Sequence, residues 1–91
     1  MTACDLSIPN VLGLHARAAA KFVHTAGRYA SKIRVARAGR EVDGKSIMGL
    51  LLLAASQGSA IRISADGPDE HDAIAALCAL VERGFDEVPC A

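Results

Sequence analysis

The feature that most constrains this chain is the way its apolar residues change period along the sequence. Over residues 3–8 they alternate, with Cys4, Leu6 and Ile8 on one side and Asp5 and Ser7 on the other, which predicts a half-buried strand. From Ala16 the spacing becomes helical. Ala19, Phe22, Val23 and Ala26 fall on one stripe, Arg17, Lys21, His24 and Arg28 fall elsewhere, and Gly27 closes the segment. Alternation returns over residues 32–36 with Ile33 and Val35 against Arg34. A turn at Ala38-Gly39 and a short strand over residues 40–42 complete a hairpin. Asp43-Gly44 turns the chain again, and Ser46 is placed to cap an apolar helix over residues 47–53. Gln57-Gly58 breaks that helix. A fourth strand over residues 60–65 sets Ile61 and Ile63 against Arg62 and Ser64. Pro68 is placed to open a last helix, with Ile74, Leu77, Cys78 and Val81 as its apolar stripe and Gly84 as its end. The order β-α-β-β-α-β-α predicts an α+β fold: one four-stranded antiparallel sheet with three helices on one face. Residues 1–91 are expected to form a single domain, because a second core would not fit.

Composition narrows the function. The chain is 52% hydrophobic and 22% charged, which marks a globular rather than a disordered chain. Much of the apolar fraction is alanine and there is no Trp, so small aliphatic side chains must build the core with Phe22, Phe85 and Tyr29. Lys+Arg and Asp+Glu balance at 10 each, which argues against a nucleic-acid partner. The charges are unevenly spread: Arg17, Lys21, Arg28, Arg37, Arg40 and Lys45 fall early, whereas Asp66, Asp69, Glu70, Asp72, Glu82 and Glu87 fall late. A basic side could steer the protein toward an acidic partner. The 3 cysteines, Cys4, Cys78 and Cys90, fit no disulfide framework and no zinc spacing, so free thiols in a reducing cytosol are expected. The longest apolar run, residues 48–55, is too short to cross a bilayer, and no stretch has the form of a signal peptide. A cytoplasmic protein without membrane insertion is expected.

His15 is the residue that demands explanation. It follows a glycine-containing loop and immediately precedes a helix, where the first backbone N–H groups have no partner within the helix. Those donors and the positive end of the helix dipole favour an anion. Arg17 adds a fixed cation with a planar set of donors. A neutral imidazole is nucleophilic and populated at physiological pH, so at such a spot it suits phosphoryl acceptance. Its new negative charge would meet the amides of Ala16 and Arg17 and the Arg17 guanidinium. Taken alone, His-x-Arg at a helix start is a weak signal, and a histidine there is more often a plain loop residue. No second His, Cys or acid lies near it at metal-ligand spacing, so neither a metal nor another cofactor is expected. His24 and His71 read as solvent-facing helix residues.

The segment Gly13-Leu14-His15-Ala16-Arg17-Ala18-Ala19 closely resembles the active-site signature of the HPr family, the histidine-containing phosphocarriers of the bacterial phosphotransferase system. A second block, Gly44-Lys45-Ser46-Ile47-Met48-Gly49-Leu50, resembles that family's regulatory-serine segment. The resemblance covers nearly the whole chain, and two motifs in register are far more specific than either alone. It implies that His15 is phosphorylated on Nδ1 and that Arg17 steadies the phosphate. It implies that Ser46 is the target of a serine kinase and its phosphorylase. Ala20, Ile47, Met48 and Leu51 would form the apolar docking patch. Enzyme I would be the donor, charged from phosphoenolpyruvate, and an enzyme IIA domain the acceptor. A monomer is expected, since a carrier meets its partners in turn. One departure is clear: the family's proline after the arginine is Ala18 here, which leaves the first helical turn less preset. The run through Phe22 and Val23 and the ending Gly84-Phe85-Asp86-Glu87 resemble the nitrogen-related NPr branch.

Two other readings compete. On a similar scaffold, an RNA-recognition module stacks bases on Phe or Tyr in its sheet, and no predicted strand here carries either. A small hydrolase such as an acyl phosphatase would need a second catalytic group near His15, and none is apparent in the sequence. Ser46 also has a purely structural explanation as a helix cap, and residues 47–53 could be ordinary core.

Overall fold

A computed structural model describes residues 1–87. Its elements run β1 (Thr2–Ser7), α1 (Ala16–Ala26), β2 (Lys32–Arg37), β3 (Arg40–Asp43), α2 (Ile47–Leu52), β4 (Ala60–Asp66) and α3 (Glu70–Glu82), followed by a short turn over Gly84–Asp86. The strands form one sheet in the order β1-β4-β2-β3, every pair antiparallel. The three helices cover the face to which the alternating apolar residues point. Ile33 and Val35 from β2 and Ile61, Ile63 and Ala65 from β4 are buried there under Phe22, Leu50, Leu77 and Phe85. The other face is polar: Asp5 and Arg62 are direct cross-strand neighbours, joined by Arg62 Nε to Asp5 Oδ1 at 2.8 Å and Nη2 to Oδ2 at 3.1 Å.

Three departures from the sequence reading have identifiable causes. Cys4 and Cys78 are not free thiols. They form a disulfide between β1 and α3, across a sequence separation of 74. Their spacing could not show this, because it arises only when the inward face of β1 meets the α3 stripe. Cys90 lies outside the described residues. Secondly, Pro68 does not open α3: Asp69 takes the cap position and the helix begins at Glu70. The Asp69 carboxylate reaches across instead, accepting from the amides of Ala30 at 2.8 Å and Ser31 at 2.9 Å. Bonds from the Ser31 hydroxyl and these amides hold its pKa below the ordinary carboxylate value. Thirdly, α2 ends one residue early, at Leu52, with Leu53 as its C-cap.

The Ser46 cap is present. Its Oγ accepts from the Gly49 amide at 3.0 Å at the head of a helix only 6 residues long. So short a helix has little intrinsic stability. Ser46→Ala is expected to cost about 1 kcal/mol in urea unfolding, since an N-cap hydroxyl contributes roughly 0.5–2 kcal/mol. An unchanged midpoint would show that packing alone holds α2.

Candidate functional site

The loop between β1 and α1 is tied down at each end. The Ile8 amide donates to Ser59 O at 2.9 Å, and Ile8 O accepts from Gly58 N at 2.8 Å. Within the loop, Asn10 Nδ2 donates to Gly13 O at 2.8 Å, and Leu14 N donates to Ala55 O at 2.8 Å. Leu14 is buried beside these bonds. Gly13 makes the approach possible. It sits at φ +66, and a Cβ there would lie 2.5 Å from Ala55 O and 2.8 Å from Ser56 Cα. Both close atoms are backbone, so neither can step aside. Gly13→Ala is therefore expected to lower stability by about 2 kcal/mol, the order of one forced backbone conformation. It should also weaken exchange protection of the Leu14 amide. Wild-type stability in this variant would refute the account.

His15 emerges from that loop as the N-cap of α1, with φ −78 and ψ 177. Its carbonyl accepts from the Ala19 amide at 2.8 Å, so the backbone starts the helix while the imidazole makes no capping bond. The side chain is thus available for other work, and it is 27% exposed. The first turn of α1 carries no acidic residue. An anion at His15 would face the open amides and positive pole of an 11-residue helix, with no competing carboxylate from α1. Arg17 lies exposed in that same turn, with no ion pair among the described residues. The structure thus puts His15 and Arg17 on one helix start. Ser46 stands separately, at the head of α2.

Sequence reasoning missed two residues that touch this site. The Glu87 carboxylate contacts His15 Nε2, and its Oε1 also accepts from Asn10 Nδ2 at 3.1 Å. Hydrogen bonding from His15 first, and from Asn10, holds the Glu87 pKa below its ordinary value and keeps the group ionised. Glu87 arrives there through an unusual turn. Gly84, Phe85 and Asp86 all have positive φ, at 66, 58 and 59. For Phe and Asp that conformation costs roughly 1–2 kcal/mol each. The turn is fixed by burial of the Phe85 ring, by Lys21 Nζ donating to Phe85 O at 2.7 Å, and by an Arg83–Asp86 ion pair. Gly84 could have hinted at a left-handed turn. Nothing in the spacing ties position 87 to position 15.

Apolar side chains are exposed on the neighbouring helices. Ile47 is 41% exposed, Met48 69% and Leu51 36%, whereas Leu50 and Leu53 are buried. Ala20 is exposed on α1, which packs on α2. Leu52, Val11 and Leu12 are exposed as well, and the sequence reading had not singled them out. Two surface hollows, one lined by Arg37, Arg40 and Leu52 and the other by Asp5, Arg37 and Arg62, do not include His15. The imidazole stands on the surface, where another macromolecule can reach it.

Comparison with known proteins agrees with this geometry. The family model described as "PTS HPr component phosphorylation site" matches residues 3–83. The phosphocarrier protein HPr of Cupriavidus necator is 51% identical over 83 residues, covering 91% of this chain and 93% of that protein. The crystal structure of HPr-C-His from Thermoanaerobacter tengcongensis superposes with a TM-score of 0.94 at 45% identity, covering 98% of this chain and 100% of that one. Crh of Bacillus subtilis, described as a swapped dimer, gives a TM-score of 0.75 at 38% identity, covering 92% of this chain and 97% of its own. With its four-stranded antiparallel sheet, its three helices and its histidine at the head of the first, the chain belongs to the HPr family of phosphocarrier proteins of the phosphotransferase system.

Proposed function

We propose that this protein accepts a phosphoryl group on His15 from enzyme I and passes it to an enzyme IIA domain. The observation that carries the reading is His15 at the N-cap of α1 with its imidazole uncommitted to capping. Phosphoryl chemistry is mostly positioning and charge compensation. Here the helix amides and Arg17 supply the compensation, and the partners supply the rest. The protein is a carrier, not a self-sufficient catalyst, and one domain spanning residues 1–91 suffices for that task. A carrier must hold phosphate firmly enough for transit and loosely enough to release it. One arginine and a helix end meet both demands better than an enclosing cage would.

Docking is assigned to the exposed apolar side chains of Ala20, Ile47, Met48 and Leu51. Flexible Met suits a surface that must fit several partners. Ser46 is assigned as a regulatory phosphorylation site at the rim of that patch, where added charge would oppose an acidic partner. A monomer serves such sequential docking, although the Crh relative described as a swapped dimer makes oligomeric state worth measuring. Family membership supports a cytoplasmic place; the Cys4–Cys78 bridge removes the argument from free thiols.

The decisive experiment is labelling with phosphoenolpyruvate and either the sugar-type or the nitrogen-type enzyme I. One acid-labile phosphate per chain is the expected product, and the faster donor names the branch. No label from either donor would end the proposal. For Ser46, a mass gain with a cognate kinase and ATP should vanish in Ser46→Ala.

A further inference from the structure

We propose that Glu87 is a positioning residue for His15: its carboxylate accepts a hydrogen bond from Nε2–H of the imidazole and so leaves the Nδ1 lone pair as the open nucleophile. The inference rests on the reading of His15 as phosphoryl acceptor and adds to it what selects the reacting nitrogen. A neutral imidazole carries one N–H and one lone pair, and an ionised carboxylate can only accept. Contact between Glu87 Oε1 and His15 Nε2 therefore puts the proton on Nε2. Among the described residues nothing bonds to Nδ1. Two further features hold Glu87 in place. Asn10 Nδ2 bridges Glu87 Oε1 at 3.1 Å and Gly13 O at 2.8 Å, linking the carboxylate to the loop that carries His15. Behind it, three consecutive left-handed residues and the buried Phe85 ring aim the chain back at α1. Backbone strain of this kind persists only where its surroundings enforce it, and it concentrates at functional sites.

The chemistry balances without moving a proton. The Nδ1 pair forms the bond to phosphorus, while the donor's own bond to phosphorus breaks and its pair leaves with the donor atom. Nδ1 had no proton to lose. The ring becomes cationic through Nε2–H, opposite the Glu87 carboxylate. On onward transfer the bonding pair returns to Nδ1, and the neutral ring keeps the same proton.

The test is nitrogen-15 NMR of the imidazole rings, at a pH where they are neutral, in wild type, E87A and E87Q. Wild type is expected to show the His15 proton on Nε2, exchanging with water roughly tenfold more slowly than that of the exposed His24, as one good hydrogen bond allows. In E87A the exchange should approach that of His24. In E87Q the amide oxygen still accepts, so protection should largely return. Acceptance of phosphate should fall roughly fivefold to tenfold in E87A and recover in E87Q, with melting temperatures alike. A proton on Nδ1 in wild type, unchanged exchange in E87A, or a wild-type acceptance rate in E87A would each overturn the assignment. The NMR reads the unphosphorylated protein. A wild type that takes no label while showing Nε2–H held by Glu87 would sink the phosphocarrier reading and leave the contact standing.

Discussion

His15→Ala is expected to reduce phosphoryl acceptance from phosphoenolpyruvate and enzyme I to background while leaving the fold unchanged. The two halves of this prediction come from different atoms. The His15 carbonyl starts α1 by accepting from Ala19, and alanine keeps that carbonyl. The side chain is partly exposed and, among the described residues, the one polar contact its loss removes is that with Glu87, so the melting curve should move little. Among the described residues neither of the other two histidines offers an equivalent nucleophile. His24 is exposed near the end of α1, away from the positive pole, and His71 on α3 lies against Thr2 at 3.2 Å. Arg17→Ala should behave differently, retaining some acceptance but slowing transfer roughly tenfold to a hundredfold. That is the scale of one charge-assisted hydrogen bond of about 1.5–3 kcal/mol. Acid-labile phosphate counted by mass over time separates the two variants. Acid-labile label on His15→Ala would show that the nucleophile was misassigned.

What the sequence made legible was what repeats locally. The alternation of Ile33 and Val35 and of Ile61 and Ile63 placed β2 and β4 within a residue or so of their true ends, because period and burial are the same fact on a pleated sheet. Ser46 was legible because a cap bonds its own helix three residues on. His15 was legible because a glycine loop and a helical stripe meet at it. What stayed hidden were pairings between distant residues. Cys4 with Cys78, Asp69 with the amides of Ala30 and Ser31, and Glu87 with His15 each need the folded chain to bring them together. Pro68 misled for a related reason. Its fixed φ suits a helix start, but the turn through Gly67 that carries Asp69 to Ala30 delays the helix to Glu70.

Phe85→Ala is expected to lower stability by about 3–5 kcal/mol, the usual cost of emptying a buried aromatic site. For a domain of this size, that corresponds to a fall in Tm on the order of 20 °C. The ring is fully buried in the core, and the turn that carries it packs on α1 and α3. It is also the anchor that makes a left-handed backbone tolerable at positions 84–86. With the ring gone, only the Lys21 bond and the exposed Arg83–Asp86 pair oppose relaxation of that turn among the described residues, and neither replaces the lost burial. Glu87 would then drift from the imidazole without itself being altered. Below its lowered Tm, Phe85→Ala should therefore reproduce the E87A spectrum: His15 Nε2–H exchanging as fast as that of His24, although Glu87 is still in the chain. A variant that melts early yet keeps the slow Nε2–H would separate the two roles and show that the polar ties of Asn10, Lys21 and the Arg83–Asp86 pair are enough to hold the carboxylate at His15.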